Sequence, residues 1–145
     1  MIYNQVKVRL DRVQEDGSTK QVSEVYLVET AHFGVAERTV QEEIAPTASG
    51  DFDIVAIARK SYEEIIASKL GEEISDRWYK CKVNLITLNE RNGREVKTPS
   101  YFLVQSASAL TAHKAVDEFM SDLISDYDVE QVEETKILEV FGVKQ

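Results

Sequence analysis

Val6, Val8 and Leu10 alternate with Lys7, Arg9 and Asp11, the period-two pattern of a half-buried strand. Asp16-Gly17 marks a turn, and Val25 to Val28 predicts a returning strand, so the chain opens with a hairpin. Further on, Cys81, Val83 and Leu85 alternate with Lys82 and Asn84, Asn92-Gly93 turns, and Tyr101 to Val104 returns. Each returning strand runs into a hydroxyl residue suited to capping a helix: Thr30 in the first case, Ser106 or Ser108 in the second. Helical stripes follow. Ala36, Val40 and Ile44 form one, and Ala112, Val116 and Met120 the other, joined there by Phe119 and Leu123. Pro46 stops the first helix, and Ser49-Gly50 continues the loop.

These parallels extend along the chain. Residues 3–66 and 78–141 align with an offset of 75 at the ends and 76 in the middle. Gly17, Leu27, Val28, Ala36 and Val40 match Gly93, Leu103, Val104, Ala112 and Val116, and Asp51-Phe52-Asp53-Ile54 matches Asp126-Tyr127-Asp128-Val129. A third strand is expected at Phe52 to Ala58 and at Tyr127 to Val132. Beyond it, Ser61-Tyr62-Glu63-Glu64 has the form of a capping box for a helix stopping at Gly71, whereas Lys136 to Phe141 reads as a strand. Duplicated halves should agree, so a fourth strand is favoured in both. The expected fold is α+β: an internal duplication of a ββαβ(β) unit, with antiparallel sheets, one helix per repeat and a pseudo-two-fold axis. A half of about 65 residues is marginal alone. Residues 1–145 are therefore expected to form a single compact domain, with the repeats sharing one core and joined by linker 67–77.

The returning strands are apolar on both faces, Val25 and Leu27 against Tyr26 and Val28, then Tyr101 and Leu103 against Phe102 and Val104. One helix covers one face. The other must meet the partner half, a sheet folded on itself, or another chain. A homodimer with Tyr26 or Phe102 at its interface is the expectation for the last case.

Apolar residues make up 43% of the chain and charged residues 30%, ordinary globular proportions with no run long enough for a transmembrane helix. Met1 to Gln5 lack the charged and apolar regions of a signal peptide, and the single cysteine, Cys81, agrees with a reducing compartment; a cytoplasmic location is expected. A net charge of -9 argues against nucleic-acid binding through the overall field. Arg77, Lys80, Lys82, Arg91, Arg94 and Lys97 nevertheless cluster, while Asp and Glu crowd the end of the chain. The sharper reading is a dipolar molecule with one face for a charged partner. The blander one is a solvated surface.

Candidate chemistry is sparse. His32 and His113 occupy non-equivalent places in the repeats, each on a predicted helix without a companion ligand. Cys81 lies on the apolar side of its strand, where a buried role explains it. The repeated Asp51, Asp53, Asp126 and Asp128 offer oxygen ligands for a hard cation, although aspartates also commonly begin strands, with Phe52 and Tyr127 packing inward between them. No phosphate loop, dinucleotide fingerprint, nucleophile elbow or zinc-protease helix is present. Neither enzyme activity, metal nor cofactor is therefore expected.

The stretch from Trp78-Tyr79-Lys80-Cys81-Lys82-Val83 through Tyr101-Phe102-Leu103-Val104 to Val140-Phe141 resembles an uncharacterised domain-of-unknown-function family of about this length. The resemblance implies a setting in gut bacteria and their phages or mobile elements, and transfers no catalytic residues. The expected role is a noncatalytic binding or assembly module with a protein partner. The alternative is a nucleic-acid or nucleotide binder using the basic hairpin 77–97.

Overall fold

The computed structural model describes residues 1–48, 50–68 and 77–142. Strands β1 (Ile2–Val13) and β2 (Thr19–Glu29) form the first hairpin, followed by helix α1 (Phe33–Ile44), β3 (Phe52–Ser61) and the short β4 (Glu64–Ile66). Then come β5 (Trp78–Leu88), β6 (Glu95–Gln105), α2 (Ala109–Met120), β7 (Asp126–Glu134) and β8 (Ile137–Gly142). Both hairpin turns use a glycine in the left-handed region, Gly17 at φ 84° and Gly93 at φ 68°, where a Cβ would be strained. The fold is α+β with two sheets, and the fourth strands expected at 61–70 and 136–141 are present as β4 and β8. Of linker 67–77, residues 69–76 lie outside the described residues.

The chain divides into two compact units, Ile2–Ser61 with the segment from Lys136, and Met1 with Tyr62–Thr135. The strand order is β3-β1-β2-β8 in the first and β4-β6-β5-β7 in the second. Each fourth strand therefore joins the sheet built by the other half of the sequence. These are also the parallel pairs, β8 on β2 and β4 on β6, so the sheets are not wholly antiparallel as expected. A strand arriving from a distant part of the chain is free of the hairpin constraint that makes neighbours antiparallel.

The registers recur. Tyr26, Leu27 and Val28 face Glu139, Val140 and Phe141, just as Phe102, Leu103 and Val104 face Glu64, Ile65 and Ile66. The β1–β3 ladder shifts between Lys7 and Val8, and the β5–β7 ladder between Lys82 and Val83. A bulge thus falls at matching places and leaves Val55 and Glu130 as the extra residues.

Each unit has its own helix-covered cluster. Val6, Val8, Leu10, Tyr26 and Val28 pack under Ala36, Val40 and Ile44. Tyr79, Cys81, Val83, Phe102 and Val104 pack under Ala112, Val116 and Met120. The helices show the predicted spacing of four, with alanine where the helix comes closest to the sheet. Each fully buried valine or leucine contributes about 1.5–3 kcal/mol of hydrophobic stabilisation. Phe119 and Leu123 do not join the second stripe, being 38% and 49% exposed. Phe119 lies one position off the stripe, and α2 ends at Met120, before Leu123.

Leu27 and Leu103, on the opposite strand faces, are fully buried within the single chain. The two-faced strands are therefore covered without a second chain. Among the described residues, no helix is long and apolar enough to cross a membrane.

Candidate functional site

The basic hairpin is not a free cationic surface. Strand β5 lies between β6 and β7, so the acidic strand runs beside the basic ones. Lys82 Nζ sits 2.6 Å from Glu130 Oε2, Lys97 Nζ sits 2.8 Å from Asp128 Oδ2, and Arg77 Nε sits 3.8 Å from Glu134 Oε1. The hydrogen bond to Glu130 raises the Lys82 pKa and that to Asp128 raises the Lys97 pKa, while the same contacts hold both carboxylates below their ordinary range. Lys80 Nζ lies 4.7 Å from the Tyr101 ring centre, a cation–π contact. Arg91 and Arg94 stand at the turn, where their backbone N–H groups donate to the side chains of Asn89 and Asn92. The expected charge dipole between the hairpin and the acidic region is thus absent here: strand pairing interleaves charges that are separate in sequence.

The other candidates are dispersed as well. Asp51 and Asp53 belong to the first unit, and Asp126 and Asp128 to the second. Among the described residues, no group of three or more His, Cys, Asp or Glu comes together to hold a metal ion. Phe52 and Tyr127 each pack against their own unit's cluster, and Tyr127 Oη donates to Asp117 at 2.8 Å. His32 is the N-cap of α1 rather than a residue within the helix, with no side-chain cap bond. His113 lies 3.5 Å from Asp117, one turn further along α2. Cys81 is buried, and burial pushes its thiol pKa up to about 11, which disfavours the thiolate. Tyr26 and Phe102, the expected interface residues, are buried in the clusters of their own units.

A groove that sequence reading did not anticipate lies in the second unit. Its volume is about 540 Å³, and it is lined by the end of β4, the β6–α2 junction and the outer face of α2. Local bonds shape it. The Ser68 N–H donates to Gln105 Oε1 at 3.1 Å and the Ser68 hydroxyl to the Gln105 carbonyl at 3.2 Å, tying β4 to β6. Ser108 and Thr111 form a reciprocal capping box that sets where α2 begins, and the Ser106 and Thr111 hydroxyls are hydrogen-bonded to each other. Ala115 keeps the helix wall low, and Phe119 meets Phe102 edge to face, with ring centres 5.5 Å apart. Lys114, Glu118 and Asp122 place one cation and two anions along the same wall.

The first unit fills the corresponding place differently. Phe141 occupies the register position of Ile66 and stacks on Tyr26, ring centres 5.6 Å apart and 19° between planes. In the helices, Thr39 and Glu43 stand where α2 has Ala115 and Phe119. The available sequence signal was therefore the mismatches between the copies rather than their matches.

No curated protein and no solved structure matches the chain. A family model does match, over residues 2–143, and its description is Domain of unknown function (DUF4494). With nearly the whole chain matched, the protein belongs to this uncharacterised family.

Proposed function

We propose that this chain is a noncatalytic binding module that engages a protein partner, built on a duplicated ββαβ(β) unit. The groove between α2 and the end of β4 carries this reading, because it is a sizeable concave surface of mixed apolar and polar character. Its hydroxyls from Ser106 and Thr111 bond to one another, which suits a structural role better than nucleophilic chemistry. The matching registers and bulges of the two units support the duplication. The strand exchange supports treating residues 1–145 as one functional piece, since each sheet draws a strand from both halves. A role as a phage or mobile-element accessory in the cytoplasm belongs to the same proposal.

Native mass spectrometry of the protein purified from its own host tests the reading. The expected result is a stoichiometric complex with a second polypeptide. A copurified small metabolite turned over on incubation, or nucleic acid in place of protein, would overturn it.

A further inference from the structure

We infer that the α2–β4 groove binds an extended peptide segment carrying an apolar side chain, with a lysine or arginine two residues away. The inference rests on the protein-binding reading above and names the surface and the chemistry it recognises. Three observations carry it.

The first is the difference between the units. Phe141 packs on Tyr26 in one, and Ile66, Ala115 and Phe119 border an open groove in the other. Where two units share strand order and register, packing demands the same residues in both. Exchanging phenylalanine for isoleucine in the strand and glutamate for phenylalanine on the helix moves apolar surface from the core to the groove.

Shape is the second. The helix wall from Thr111 to Asp122 spans roughly 16 Å at 1.5 Å per residue, the length of about five extended residues. A compact ligand would engage one end only.

The third is charge. Glu118 and Asp122 lie one helical turn apart on the wall, against the single cation Lys114, in a chain of net charge -9. In an extended peptide, side chains two residues apart share a face and stand about 6.6 Å apart. That matches the step from the Ile66–Ala115–Phe119 surface to the two carboxylates.

Panning a phage library of random heptapeptides against the whole chain tests this. Enriched peptides should pair an aliphatic or aromatic residue with Lys or Arg two positions away. Their affinity should fall at least tenfold in Ile66→Phe, which places in β4 the residue that β8 carries at this register, and also in Asp122→Lys at an exposed position. Amide shifts in the bound protein should centre on Thr111, Ala115 and Phe119. No enrichment, enrichment of acidic peptides, or unchanged binding by both variants would overturn the inference. A host protein bound equally by wild type and Ile66→Phe would refute the groove while leaving the binding-module reading standing. Absence of any bound protein would refute that reading itself.

Discussion

Phe141 stacks on Tyr26 with ring centres 5.6 Å apart, joining the last strand of the chain to the first hairpin. Such pairs contribute about 0.5–1.5 kcal/mol beyond the area they bury. Phe141→Ala should therefore lower stability by about 1–3 kcal/mol, read as a shifted urea midpoint at unchanged slope. An unchanged midpoint would mean that β8 contributes little to its sheet.

The exchange of β4 and β8 makes each half incomplete. Fragments 1–68 and 77–145, prepared separately, should lack a cooperative thermal transition, because each keeps a three-stranded sheet whose second hairpin strand has lost its parallel neighbour. Mixing them should restore the transition seen by circular dichroism. Two independently cooperative fragments would show that the exchanged strands are dispensable.

Cys81 is fully buried and its thiol is held protonated, with a pKa of about 11. Iodoacetamide at about pH 8 should label it only as fast as the second unit opens, and adding urea should accelerate labelling sharply. Rapid labelling of the native protein would contradict the packing of β5 under α2.

Glu24 illustrates a pH effect with a definite sign. Burial pushes its pKa up, but hydrogen bonds from Arg12 and Tyr26 outweigh that effect and hold it below the ordinary value. Its contribution to stability is therefore present above the unfolded-state pKa of about 4.3 and is lost as pH falls through the lower native value. Arg12→Gln should raise the Glu24 titration midpoint followed by carboxyl NMR, and should weaken acid resistance. Arg12 also donates to the Thr47 carbonyl just past α1, so the variant should loosen that helix end.

Val40 and Val116 occupy matching places under their helices and are both fully buried. Replacing either with aspartate should cost about 3–5 kcal/mol, since the charge has no buried partner. A melting temperature unchanged in either variant would place that helix face in solvent.

Much of this architecture could be read from the order of residues alone. Alternation in β1 and β5, glycines at both hairpin turns, and apolar stripes spaced by four encode local structure, because side-chain direction follows the backbone period. The buried residues of both helices, Ala36, Val40 and Ile44 with Ala112, Val116 and Met120, follow from that rule. The hairpin charges illustrate what local pattern misses. Lys82, Lys97 and Arg77 look like one basic patch until β7 is laid beside β5 and supplies Glu130, Asp128 and Glu134.

The sequence by itself therefore determined the elements, their order and their inward faces, all of which depend on neighbours a few residues apart. Only the tertiary structure decided which sheet each fourth strand enters, how the charges pair, and that Ile66 borders an open groove where Phe141 closes its own unit. Those outcomes depend on residues brought together from distant parts of the chain, and no period along the sequence records them.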